Sequence, residues 1–150
     1  DVVVLRHLQS TLGRASAEEV MSGRGLHNIY TALANHASAP VVFTEPAQIT
    51  DAALNGTCKI AEATLTQFCR IMGSFAGNLA LNMATTGGIF IGGGIANRFP
   101  EFIQNSDFRA RFEAKGQMKH YVKDIPTYLI AEPDHGLLGA AAYLNQNTAS

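Results

Sequence analysis

Apolar positions fall at helical spacing along most of the chain and close into short continuous runs only twice. From Asp1 to Leu12, the residues Val2, Val3, Leu5, Leu8 and Leu12 share one broad face, and Gly13 suits the position after a helix. Ser16-Ala17-Glu18-Glu19 matches a capping box, in which Ser16 accepts from the Glu19 backbone N–H and the Glu19 side chain returns to the Ser16 N–H. A second helix is expected from there through Val20, Met21, Leu26, Ile29, Tyr30 and Leu33, with Gly23 and Gly25 as a soft spot or close-packing point. Residues 35–44 read as loop, and Thr50 and Asp51 open a short helix that Asn55-Gly56 stops. Thr57 is expected to cap a long helix in which Leu65, Phe68, Met72 and Leu79 recur at helical spacing. Gly73 and Gly77, four apart on that helix, form a small-residue strip suited to close packing against a neighbouring backbone.

The period changes at Thr85-Thr86-Gly87-Gly88-Ile89-Phe90-Ile91-Gly92-Gly93-Gly94-Ile95. Ile89, Phe90 and Ile91, bounded by glycines, predict a strand covered on both faces. Gly92, Gly93 and Gly94 then remove every Cβ at its carboxyl end, which permits positive φ and a close approach of backbone to a ligand. Ligands of open α/β sheets sit outside the carboxyl ends of strands, although glycine clusters also serve plain turns. A helix entered at Pro100 carries Phe102 and Ile103, with breaks near Ser106 and at Gly116. Pro126 to Ile130 predicts a second strand, Glu132 to Gly136 a loop, and Leu137, Leu138, Ala141 and Leu144 a C-terminal helix, frayed over 145–150. Two short strands are too few for a self-standing α/β domain, so further strands are expected upstream of Asp1.

Composition narrows the function. Hydrophobic residues make up 47% of the 150 and charged residues 15%, which fits a globular chain with a real core. A net charge of −1 leaves no electrostatic footprint for nucleic acid or an acidic membrane surface. Residues 71–96 carry no charge, but Asn78, Asn82, Thr85, Thr86 and seven glycines make them a buried helix followed by a strand rather than a membrane span. Cys58 and Cys69 form neither a disulfide framework nor a metal site, which favours a reducing cytoplasm, and the five histidines have no ligand spacing. The chain opens on Asp1 inside a helical pattern, so a longer parent protein is expected. No GxxxxGK[ST] loop and no GxSxG elbow occur. A dinucleotide fingerprint is disfavoured, because Asn97 holds the third glycine position and the acid at Glu132 stands about twice the usual distance away. Glu18 reads, on composition, as an acid favoured by the dipole of a helix start, and Glu19 as its capping neighbour. His135, before Gly136, reads as a solvated loop histidine.

Ser16 through Leu26, followed by Asn28-Ile29-Tyr30, closely resembles the bacterial ATP-dependent glucokinases. The resemblance recurs at Phe68-Cys69-Arg70-Ile71-Met72-Gly73, at Gly77-Asn78-Leu79-Ala80-Leu81, at Gly87 through Ile95 with Arg98-Phe99, at Asp124-Ile125-Pro126 and at Gly136-Leu137-Leu138-Gly139-Ala140. It implies the actin, sugar-kinase and Hsp70 superfamily, whose two α/β domains close over sugar and ATP. Residues 1–150 would then be the C-terminal part of the large, ribonuclease-H-like α/β domain, a helix-rich fragment with few strands. Its tail, about 132–150, would return toward the small domain. The family's adenosine loop falls on Gly92, Gly93 and Gly94, with Gly92 replacing a common alanine, and its sugar-binding glutamate falls on Glu18. The family's phosphate loops, catalytic aspartate and other sugar ligands would lie upstream, so no catalytic residue is expected here and the chain alone is expected to be inactive. The resemblance further implies ATP, Mg²⁺, phosphorylation of D-glucose to glucose 6-phosphate at the opening of glycolysis, a cytoplasmic homodimer, and contact with neither nucleic acid nor membrane. The other reading is a non-enzymatic sugar-sensing kinase-like domain of a transcriptional regulator, though no helix-turn-helix pattern or basic run occurs in this chain. Choice among hexoses is left open.

Overall fold

A computed structural model describes residues 2–132 and 134–148. Its axis is the helix α5 (Lys59–Asn82), because Ala61, Leu65, Phe68, Met72, Ala76 and Ala80 recur every three or four residues and are all buried. Helices α3 (Gly23–His36) and α4 (Pro46–Leu54) pack on this core, and α1 (Val2–Leu12) covers α3 through Val4 and Leu8. The short helix α2 (Glu18–Met21) joins α1 to α3. Beyond α5 lie α6 (Pro100–Gln104), α7 (Phe108–Glu113) and α8 (Lys119–Val122), then α9 (His135–Thr148), which is exposed from Gly136 to Asn147. No described helix is long and apolar enough to cross a membrane.

The expected small-residue strip does its work against α7. A Cβ built on Gly73 would overlap the carbonyl oxygen of Phe108, and one on Gly77 the carbonyl oxygen of Phe112. Without side chains at those two positions α5 and α7 meet backbone to side, which brings the buried Phe108 and Phe112 into the core. The edge-on pair Phe68–Phe99, with centroids 5.9 Å apart, ties α5 to the segment after the glycine turn.

Helix ends agree with the sequence in part. Gly13 (φ +72°) stops α1 with its N–H donating to Gln9 O at 3.1 Å, and Gly56 (φ +67°) lies beyond α4. The capping box at Ser16 does not form. Ala17 is already helical (φ −58°, ψ −39°), and the Ser16 carbonyl rather than its hydroxyl accepts from Glu19 N at 3.2 Å. The chain instead breaks at Ser22 (φ −117°, ψ 178°), whose hydroxyl accepts from Gly25 N at 3.0 Å and starts α3 as a separate helix. Gly25 makes that break possible, since a Cβ there would lie 2.6 Å from the Val20 carbonyl carbon. Helix α4 begins at Pro46, not at Thr50, with Gln48 Oε1 accepting from the N–H groups of Thr44 and Glu45 at 3.1 Å each. Cys58, not Thr57, is the N-cap of α5, while the Thr57 hydroxyl donates back to Ala52 O at 3.2 Å.

Strands β1 (Ile89–Ile91) and β2 (Thr127–Leu129) form a parallel pair in register Ile89–Thr127, Phe90–Tyr128 and Ile91–Leu129. Parallel pairing requires a long crossover, and α6 to α8 supply it. Arg109 on α7 locks the crossover to β2, donating to the carbonyls of Lys123 and Ile125 and pairing with Glu113 at 2.7 Å. The expectation of a strand buried on both faces fails. Phe90 is 66% exposed and Tyr128 48%, with their rings stacked at 5.0 Å, because no described element covers that face of the pair.

Candidate functional site

The glycine turn leaves β1 where the sequence places it. Gly93 has φ +122°, a conformation that side-chain-bearing residues rarely adopt, and a Cβ on either Gly93 or Gly94 would meet nothing within 4 Å. The tip of the strand is therefore open. Gly92 differs, because a Cβ there would lie 3.0 Å from His135 Nε2 and 3.3 Å from Ile130 Cδ1. His135, the first residue of α9 and half-buried, donates from Nδ1 to Glu132 O at 2.7 Å, which turns Nε2 toward the glycine turn. It is a packed wall of the turn rather than a solvated loop residue.

After Gly94 the chain tightens into a single helical turn, Ala96–Arg98, pinned by the buried Ala96 and Phe99. This holds Arg98 beside the open tip. Two more segments converge there. The start of α3 contributes Gly23, and the start of α4 contributes Glu45, Pro46 and Ala47. With Gly94, Ile95 and Arg98 they line a surface groove of about 360 Å³, a volume at the lower end of ligand-sized clefts. The Arg98 guanidinium has no hydrogen-bond or ion-pair partner among the described residues, and Glu45, which also lines the groove, does not pair with it; the Glu45 side chain closes a capping box onto the Gln48 backbone N–H. Glu45, Arg98 and Gly23 come from three distant stretches, and no local pattern in the sequence marks them as neighbours.

Glu18 and Glu19 separate cleanly. Glu19 is structural, pairing with Arg24 at 2.9 Å and accepting from Asn28 Nδ2 at 3.4 Å, while its carbonyl accepts from the same amide at 3.0 Å. These bonds fix α2 against α3. Glu18, at the head of α2, is exposed, and its carboxylate has no partner among the described residues. One acid holds the short helix while its neighbour is left for solvent or a ligand. No group of three or more His, Cys, Asp or Glu side chains among the described residues could hold a metal ion. Both cysteines are free, and burial pushes the Cys69 thiol up to about 11, against a smaller opposing pull from a hydrogen bond with Ser106.

A family model described as glucokinase matches residues 1–147. The chain belongs to the glucokinase family. It is 48% identical over 151 residues to the glucokinase of Colwellia psychrerythraea, covering 97% of this chain and 46% of that protein. It is 47% identical over 146 residues to the glucokinase of Escherichia coli, with the same two coverages, 97% and 46%. Among solved structures it matches the crystal structure of glucokinase from an Antarctic psychrotroph, with a TM-score of 0.89, 38% identity, and coverage of 97% of this chain and 45% of that one. The chain thus spans under half the length of these family members. Its helix-rich body with one parallel strand pair is a part of the sugar-kinase fold.

Proposed function

We propose that this chain is the C-terminal part of the large domain of an ATP-dependent glucose kinase, carrying the nucleoside groove and one sugar ligand. The observation that carries the reading is the open glycine tip of β1, with a ligand-sized groove lined by Gly94, in a member of the glucokinase family. Backbone without side chains admits the flat face of a purine nucleoside, and Pro46, Ala47 and Ile95 offer apolar surface to it. The free carboxylate of Glu18 accepts hydrogen bonds from sugar hydroxyls and so orients the hexose; charge-assisted bonds of this kind are the stronger ones.

Within these residues nothing abstracts a proton. The base that takes the proton of the sugar's 6-hydroxyl, the loops that hold the phosphates and the ligands of Mg²⁺ belong to the remainder of the protein. Bound with ATP, Mg²⁺ supplies neutralisation of the phosphate charge. This chain's own contribution is positioning, which turns an encounter of two substrates into a held geometry. The tail at about 132–150 returns toward the small domain, so α9 finds its partner there. In the cell the protein works as a cytoplasmic homodimer at the opening step of glycolysis, with D-glucose and ATP as substrates.

Nuclear magnetic resonance titration of the chain tests the reading. ADP is expected to shift the amides of Gly93 and Gly94, and D-glucose to shift residues of α2, an effect lost in Glu18→Gln. The chain by itself is expected to form no glucose 6-phosphate from ATP and glucose. Amides of the glycine turn that stay fixed under saturating ADP would refute the nucleoside assignment.

A further inference from the structure

The groove beside Gly94 has an unusual electrical arrangement. Glu45 and Arg98 both line it and are both exposed, yet they form no ion pair with each other. Glu45 is held at the head of α4 by its capping-box bond to the Gln48 N–H, which leaves its carboxylate further lone pairs, so the two charges share a small cleft whose sides ask for different things. A carboxylate accepts hydrogen bonds and cannot donate; a guanidinium donates and cannot accept. Between them fits a neutral group that presents a donor to one side and an acceptor to the other. Purine nucleosides do so, with ring nitrogens as acceptors and the exocyclic amine and ribose hydroxyls as donors.

We propose that Glu45 and Arg98 are the specificity-determining pair of the nucleotide groove, Arg98 donating to a ring nitrogen of the purine and Glu45 accepting from a neutral donor of the same nucleoside. This rests on the reading of the groove as a nucleoside site, and it goes further by naming the residues that choose the nucleoside. Gly93 and Gly94 admit a flat ring and bring no side chain to it, so any side-chain discrimination falls to these two, the charged side chains lining the cleft. A site built to hydrogen-bond a ligand group rejects the analogue lacking it, because the site's own polar group is then left unpaired.

Single substitutions of each partner in the whole chain test the pair by calorimetric titration, with turn amides followed in parallel. The ligands are ADP, 6-deamino-ADP (purine riboside 5′-diphosphate) and 2′-deoxy-ADP. The parent is expected to bind ADP about tenfold more tightly than one of the two analogues, as for one charge-assisted hydrogen bond. Glu45→Met is expected to abolish that preference, and which analogue is affected tells whether the donor is the amine or the hydroxyl. Glu45→Gln keeps an acceptor at the head of α4 and is expected to retain part of the preference, which separates loss of recognition from damage to the helix start. Arg98→Met is expected to weaken all three ligands roughly tenfold without changing their ratios. A preference unchanged by Glu45→Met, no preference in the parent, or an Arg98→Met variant that binds like the parent overturns the pair while leaving the groove a nucleoside site. If ADP moves neither Gly93 nor Gly94, the nucleoside reading and the pair fall together.

Discussion

Replacing Gly73 by alanine sets two effects of opposite sign against each other. Glycine inside a helix costs roughly 1 kcal/mol relative to alanine, so propensity alone makes Gly73→Ala stabilising. Packing opposes it. The new Cβ would overlap the Phe108 carbonyl oxygen and lie 2.9 Å from its carbonyl carbon. Those atoms are backbone, so no rotamer relieves the clash and α7 has to withdraw. Withdrawal strains a helix that Arg109 ties to Ile125 O at 2.7 Å and that Phe108 and Phe112 anchor in the core. Overpacking costs about 1–3 kcal/mol, with backbone contacts toward the upper end, so the expected net destabilisation is about 1–2 kcal/mol. For a chain of this length that lowers Tm by roughly 2–8 °C. Urea denaturation followed by circular dichroism should show a lower midpoint at unchanged m. Gly139→Ala on the exposed α9, where a Cβ meets nothing within 4 Å, is the control and should not lower Tm. A Gly73→Ala protein melting at or above the parent temperature would refute the close-packing account.

Gly93→Ala, at φ +122°, should cost about 1–3 kcal/mol, whereas Gly92→Ala should change stability by less than about 1 kcal/mol and displace the His135 ring, a shift visible in its imidazole resonances. Arg109→Lys keeps the charge but loses the fork that reaches Glu113 and the Lys123 and Ile125 carbonyls, and should cost about 1.5–3 kcal/mol in a thermal melt. The Cys69 thiol, raised from 9.0 to about 11, gives a pH dependence of defined sign. Below pH 9 it is protonated whether folded or unfolded; between 9 and 11 only the unfolded chain ionises, so stability falls as pH rises, by about 2–3 kcal/mol in all. Cys69→Ala should remove that slope from denaturant midpoints measured across this range.

What was legible in the sequence is what local chemistry alone decides. Gly13 and Gly56 end helices because they adopt positive φ, Pro126 to Ile130 contains β2, and the spacing of Gly73 and Gly77 marks a packing strip. The start of α3 was not legible. Ser16 carries the capping-box pattern, yet the helix starts at Ser22 because Gly25 presses against the Val20 backbone, a contact between α2 and α3. The Pro46 start was within reach, since Pro46 follows Glu45 and Gln48 lies three residues beyond Glu45, but Thr50-Asp51 offered a more familiar signal. Of the groove, the sequence marks the glycine turn that supplies Gly94. It does not mark Glu45 and Arg98, because only tertiary folding brings the head of α4 to the turn after β1.

The two stacked rings of Phe90 and Tyr128 lie on a ribbon only two strands wide among the described residues. A parallel ribbon of that width, with open backbone along its flanks and aromatic surface toward water, is a template on which further extended chain can grow. Concentrated samples of this chain should therefore self-associate through intact molecules, sheet to sheet, well before heat or denaturant disturbs the helical body.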